Sequence, residues 1–276
     1  MPLKITQVSH TYTTNGTSMV QALNQVSFDL FPGEVCGLYG PPGSGKSTLL
    51  HLVAGLLPLQ SGSITVSEGI IPSNQPGYRQ VGLVSQFPER QLFARSVWED
   101  VAFAAQNQGI QGAALEEKVQ KAMELAGLDY CRFKDRRPLA LSGGERRKVA
   151  LAGVLAISPE YLLLDEPTAG LDFDARNILY ETIHTLSQTG LGILLVSHRP
   201  QDLLETAERI IILEFGQLIL DAPVMKAIQY LEQEENTLQP VSPSRDLMYR
   251  LQQAGWEIPD NICNPADLVE AIQTNL

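Results

Sequence analysis

Gly40-Pro41-Pro42-Gly43-Ser44-Gly45-Lys46-Ser47 fits the pattern GxxxxGK[ST], a loop that holds phosphate. Its glycines let successive backbone N–H groups curl around phosphate oxygens, and the helix that starts there adds favourable partial charge. In such a loop Lys46 reaches the β- and γ-phosphates, the Ser47 hydroxyl ligates Mg2+, and Thr48 extends the segment into the helix. A second run, Tyr161-Leu162-Leu163-Leu164-Asp165-Glu166, reads as a buried strand that stops at two acids. At such a strand end Asp165 supports magnesium, and its neighbour Glu166 orients or deprotonates the attacking water. Alone the two acids would serve equally well in a turn. Beside a phosphate loop they point to hydrolysis of a nucleoside triphosphate.

Leu141-Ser142-Gly143-Gly144-Glu145 is different. Ser142 at a cap and Glu145 three residues later form a capping box that opens the helix ERRKVALAGVLA. That accounts for Ser142 and Glu145. It leaves Gly143 and Gly144, poor helix formers in a first turn, unexplained unless something approaches the backbone closely, as an anion would.

The elements that must position these residues are legible in outline. Residues 3–31 alternate as strands, with an Asn15-Gly16 turn signal and a Pro32-Gly33 stop, and predict an antiparallel start. From Glu34 onward, short apolar runs lead into helical stretches (EVCGLYG, YLLLDEP, GILLVSH), the rhythm of a parallel α/β sheet. Between about 88 and 157 the apolar residues recur at helical spacing and predict a helical subdomain. The polar stretch EQEENTLQPVSPS reads as a linker, so the main domain is placed at 1–230. A small helical extension follows at 231–276, its last helix capped by Asn264 with Pro265 in the first turn.

Composition narrows the function classes. A net charge of -11 over 276 residues argues against a broad nucleic-acid surface. Cys36, Cys131 and Cys263 are too scattered for a zinc site or a disulfide framework. No run approaches the ~18 apolar residues of a membrane span. The expected location is the cytoplasm, with any membrane role exerted through a partner.

Taken in order, the phosphate loop at 40–48, Gln86 ending the strand VGLVS, LSGGE at 141, LLLDEP at 162, AGLD at 169 and His198 after ILLVS resemble the ABC ATPases over about residues 3–225. The resemblance implies a P-loop NTPase fold of ABC type: α/β, with an antiparallel β portion, a mostly parallel core sheet and a helical subdomain. It implies ATP as substrate, with Gln86 approaching magnesium and sensing a membrane partner. Ser142, Gly143 and Gly144 would close on nucleotide held by a second ATPase subunit, identical or paralogous. Asp172 would link the two sites, His198 would contact the γ-phosphate, and Tyr12 would stack on adenine. Plain alternatives stay open: Asp172 as a helix cap, His198 as a satisfied histidine at a strand end, Tyr12 as an ordinary strand tyrosine.

The segment from Gln86 to Phe93, followed by VWEDVAF, is more narrowly similar to the ATPases of energy-coupling-factor vitamin and metal importers, as is the tail LQQAGWEIPDNI. Ser85, Phe173 and Arg199-Pro200 depart from that group's pattern. Ser96 with Glu99 predicts a second capping box, which makes 87–93 a connector rich in apolar side chains. Phe87, Leu92 and Phe93 are expected either to receive a short helix of an integral membrane transporter subunit or to fold back on their own subdomain. Rival readings are an ATPase of another ABC transporter class, or an ABC ATPase working in assembly, repair or translation.

Overall fold

The computed structural model describes residues 1–14, 18–66, 69–70, 80–234, 243–259, 262 and 265–274. The predicted Asn15-Gly16 turn, residues 235–242 of the predicted linker and the Asn264 cap lie outside them; residues 232–234 of that linker instead finish the helix Val224–Glu234, and 243–244 open the helix Pro243–Gln253. The chain opens with β1 (Leu3–Thr14) and β2 (Ser18–Leu30), paired antiparallel, then β3 (Val35–Tyr39) and α1 (Lys46–Val53). Strands β4 (Ser61–Val66), β5 (Gly69–Ile70) and β6 (Val81–Val84) come next. A run of helices follows: the 3-10 turn Pro88–Gln91, α2 (Val97–Asn107), α3 (Gly112–Leu125), α4 (Tyr130–Phe133), the 3-10 turn Pro138–Ala140 and α5 (Gly143–Leu155). The chain then alternates through β7 (Tyr161–Asp165), α6 (Phe173–Gln188), β8 (Gly192–Val196) and α7 (Pro200–Thr206). It ends with β9 (Arg209–Glu214), β10 (Gln217–Pro223), α8 (Val224–Glu234), α9 (Pro243–Gln253) and α10 (Pro265–Thr274).

Two sheets result. One has the order β2-β1-β4-β5 and is antiparallel; the other has the order β10-β9-β3-β8-β7-β6 and is parallel except for β10. The central strands read as unbroken apolar runs because both faces are covered, and all five residues of β8 are buried. One core cluster fills the space between the two sheets around α1. The other joins the opposite face of the parallel sheet to α2, α3, α5, α6, α7 and α8. Gly82 in β6 permits the close seating of α5, since a Cβ there would meet Val154 Cγ1 at 2.5 Å. Arg209 ties the sheets together, donating to Glu34 at 2.7 Å, to Asp221 at 2.7 Å and to the Asp29 carbonyl at 2.6 Å.

The C-terminal helices have their own small core of Met248, Ile258, Ile262 and Leu268. They are fastened to α8 by Arg245, buried and paired with Glu232 at 2.7 Å. A guanidinium can be buried this way because its donors meet a carboxylate and the Tyr249 hydroxyl, at 2.8 Å, instead of water.

Candidate active site

The phosphate loop leaves β3 at Tyr39 and enters α1 at Lys46, so its backbone must turn within six residues. Gly43 and Gly45 do this with φ of 80° and 105°, in the left-handed region that side chains disfavour. Gly45 and Gly40 are also sterically required, since a Cβ on Gly45 would strike the Ala22 carbonyl and one on Gly40 the Leu213 carbonyl. The β9–β10 turn braces the loop from below, with Gly216 N–H donating to the Ser44 carbonyl at 3.0 Å. Pro41, Pro42 and Gly43 are exposed at the loop's crest, and Ser44 is buried beneath it.

Lys46 Nζ arches across the loop to the carbonyls of Gly40 at 2.7 Å and Pro41 at 2.9 Å. Burial lowers the Lys46 ammonium from its ordinary value, against the opposing pull of Glu166 and Asp165. Lys46 opens α1, which packs against β7. Asp165 closes that strand; burial raises its carboxyl, while His51 and Lys46 pull it back down. Ser47 is exposed in the first turn of α1. The Tyr12 hydroxyl is 3.3 Å from Thr48 Oγ1, and its ring, 40% exposed, stands edge-on to His10. Tyr12 thus flanks the loop, with a face available for stacking.

Glu166 adopts φ 50°, a conformation a glutamate holds only when its surroundings fix it. Its N–H donates to the Val196 carbonyl at 3.0 Å, and His198 Nδ1 is 2.6 Å from its Oε2. Burial raises the Glu166 carboxyl, and His198 opposes that rise. His198 is mostly solvent-exposed and stands two residues beyond β8; its contact with Glu166 fits a γ-phosphate-facing histidine and a satisfied histidine at a strand end alike. Asp172 does cap α6, accepting from Ala175 N–H at 2.9 Å.

Ser142 and Glu145 make the full reciprocal capping box at the start of α5. Gly143 and Gly144 have ordinary helical backbone, and a Cβ on either would meet no atom within 4 Å. Nothing among the described residues requires glycine there.

The connector after β6 differs in two details from expectation. The strand ends at Val84, so Gln86 stands exposed two residues beyond it instead of closing it. The Ser96 cap does accept from Glu99 N–H at 3.2 Å, but the Glu99 carboxylate accepts from Arg95 N–H, one residue before the cap, so the box is not reciprocal. Asp100 holds the connector instead, accepting from Phe93 N–H and Ala94 N–H, each at 3.1 Å. The apolar side chains divide. Leu92 packs on the main core, Phe87 lies under the Arg90 guanidinium at 4.5 Å, and Phe93 projects outward with its ring edge-on to Phe103 at 4.9 Å. Leu92, Phe93 and Phe103 border a groove of about 490 Å³ that runs between α2 and α5.

Two residues that no motif flags also bear on the site. Arg147, on α5, donates to the carbonyls of Pro167 at 3.0 Å and Ala169 at 3.1 Å and pairs with Glu89 of the connector at 3.4 Å. Asp202, on α7, lies wholly buried among hydroxyls. An arginine in a basic run and an acid in a helix first turn both read as ordinary surface residues.

Comparison with known proteins identifies the family and fold. The ABC transporter family profile matches residues 23–169. The energy-coupling factor transporter ATP-binding protein EcfA2 of Symbiobacterium thermophilum is 38% identical, over 99% of this chain and 96% of its own length. EcfA2 of Clostridium perfringens is 35% identical over 99% of this chain and 97% of its own. Among solved structures, cbiO1 from Clostridium perfringens, part of the ABC transporter complex cbiONQ, superposes with a TM-score of 0.76 at 29% identity, covering 92% of this chain and 96% of that one. An ATP-binding cassette solved as a dimer in a post-hydrolysis state, bound to ADP and Pi, superposes with a TM-score of 0.69 at 26% identity, covering 80% of this chain and 98% of that one.

Proposed function

The chain belongs to the ABC transporter family of ATP-binding proteins, and from that premise we propose that it is the ATP-hydrolysing motor of an energy-coupling-factor importer for a vitamin or a metal ion. As an ABC-type ATPase it binds nucleotide through the loop at 40–48 and hydrolyses it. The observation that carries the site assignment is the contact between Glu166 and His198 beside Lys46 and Asp165.

The chemistry is positioning and charge stabilisation. The loop amides and Lys46 hold the β- and γ-phosphates; Lys46 exchanges the Gly40 and Pro41 carbonyls for phosphate oxygens. The Ser47 hydroxyl, exposed in the first turn of α1, and the Asp165 carboxylate at the end of β7 suit a hard divalent cation, with Gln86 approaching from the connector. Mg2+ bound there would offset the charge of the β- and γ-phosphate oxygens. Glu166 orients the attacking water, His198 holds Glu166 and meets the γ-phosphate, and Tyr12 stacks on adenine. Ser142, Gly143, Gly144 and Glu145 face nucleotide on a second ATPase subunit, identical or paralogous, while Asp172 joins the two sites. The open space around Gly143 and Gly144 supports this, since an approaching phosphate supplies a reason for glycine that the described residues do not.

The groove lined by Leu92 and Phe93 takes a short helix of an integral membrane subunit, and Gln86 and Phe87 follow its movement. No helix among the described residues is long and apolar enough to cross a membrane. In this reading the protein works peripherally, on the cytoplasmic face, held there by that subunit. Release of ADP and phosphate from ATP by the full chain, together with co-purification of an integral membrane subunit from native membranes, tests the reading. A chain that hydrolyses ATP but brings down no membrane subunit would count against transport.

A further inference from the structure

Asp202 is 0% exposed, and its carboxylate receives three hydroxyl hydrogens. Thr168 Oγ1 donates to Oδ2 at 2.6 Å, Ser197 Oγ donates to the same oxygen at 2.8 Å, and the Tyr180 hydroxyl donates to Oδ1 at 2.6 Å. The donors come from three segments: the loop after β7, the loop after β8, and α6. Thr168 stands two residues beyond Glu166, and Ser197 immediately precedes His198. Ser197 Oγ also accepts from Arg199 N–H at 3.0 Å, which fastens the turn on both sides of His198.

We propose that Asp202 is a positioning residue of the ATPase: its Oδ2 ties the Glu166 loop to the His198 loop and thereby sets the 2.6 Å contact between those two side chains. A carboxylate is costly to bury unless its oxygens are fully hydrogen-bonded, and three fixed donors on one buried carboxylate form a stiff junction. Tyr180 prevents the carboxylate from rotating. Burial, reinforced by Asp202, pushes its phenol up, so it stays a donor across the ordinary pH range. The left-handed backbone of Glu166 needs such an external hold.

The inference rests on reading Glu166 as the residue that orients water, and the experiment separates the two. Steady-state ATP hydrolysis is measured on the full chain with Thr168→Val, which removes the hydroxyl at constant shape, and Thr168→Ser, which restores it. Thr168→Val is expected to lower kcat about 10-fold, the scale of a small misplacement, with KM for ATP within about twofold, and Thr168→Ser to recover the wild-type rate. In an Asp202→Asn background Thr168→Val should add no further loss, because both act through one bond. Where Asp202→Asn does not fold, Ser197→Ala serves in its place. Wild-type kcat in Thr168→Val, or equal loss in Thr168→Ser and Thr168→Val, overturns the inference. Glu166→Gln is assayed alongside. Wild-type turnover there removes the Glu166 reading itself, whereas an inactive Glu166→Gln beside a fully active Thr168→Val removes the positioning role alone.

Discussion

His198 Nδ1 lies 2.6 Å from Glu166 Oε2, although the two residues are 32 positions apart. The contact follows from sheet topology. Strands β7 and β8 are parallel neighbours, with Asp165 opposite Val196, so the residues leaving both strands emerge at the same edge. Ligands of open α/β sheets bind outside the carboxyl ends of such strands. The phosphate loop leaves β3, which flanks β8 on its other side, so three consecutive strands deliver the loop, the acids and the histidine to one place.

Glu166→Gln should preserve ATP binding and lower hydrolysis by about 100-fold or more, the size expected when a positioned base is lost. The amide keeps the side chain's shape and its contact with His198 while removing the negative charge. Equilibrium binding of ATP and phosphate release on the same preparation check it. Normal turnover would move the role to another residue.

Gly143→Glu separates what the chain needs from what a partner needs. A Cβ at Gly143 meets no atom within 4 Å, and an acid in the first turn of α5 complements the helix dipole. The melting temperature and ATP binding by the isolated chain should therefore stay level or rise. Turnover and ATP-driven dimerisation should fall steeply, because the new carboxylate repels the γ-phosphate presented by a second subunit. Sedimentation with and without ATP, beside a thermal melt, reads both halves. A melting temperature that collapses with turnover would place the glycine requirement within the chain.

How much was legible in the sequence depended on whether the determinant was local. The phosphate loop, the two acids after YLLL and the Ser142–Glu145 capping box are contiguous patterns whose physics acts within a few residues. Strand β9, RIIILE, is a short apolar run that periodicity cannot tell from a buried helical segment, and β10 is an edge strand recognisable only by its pairing with β9. Asp202 and Arg147 act across the fold. Nothing at Asp202 in the sequence distinguishes a first-turn acid facing water from one that collects Thr168, Ser197 and Tyr180. The capping box at Ser96 shows the limit of a local rule, since Asp100, a turn further on, takes the Phe93 and Ala94 amides.

Glu205, on α7, meets the C-terminal helices electrostatically. Its carboxyl is held above the ordinary range first by burial and then by the like charge of Asp267 on α10, against the opposing influence of His184 on α6. An acid whose folded-state pKa exceeds its unfolded value binds more protons when folded, so stability falls as pH rises from the unfolded value through the folded one. Glu205→Gln should raise the melting temperature at neutral pH by about 1–3 °C, with the gain vanishing well below about pH 4, where the wild-type carboxyl is protonated in both states. Thermal melts across that range check it; a gain independent of pH would assign the effect to packing.

Phe93 and Leu92 predict opposite failures on one connector. Phe93 is 67% exposed, and its backbone N–H is held by Asp100, so the ring is presented outward from a fixed position, touching Phe103 edge-on. Phe93→Ser removes apolar surface that already faces water, and folding stability should change by no more than about 0.5 kcal/mol. Leu92 packs on the main core, so Leu92→Ser forfeits burial and should cost about 2 kcal/mol or more. If the groove between α2 and α5 receives a helix of the membrane subunit, Phe93→Ser should leave basal ATP hydrolysis within about twofold of wild type, since the ring lies outside the phosphate site. The same variant should lose co-purification with that subunit and substrate uptake in reconstituted vesicles. Urea unfolding of both variants, followed by pull-down and uptake for Phe93→Ser, distinguishes the roles. Full uptake by Phe93→Ser would show that the exposed ring is no part of the coupling surface, leaving Leu92 as the anchor of its own loop.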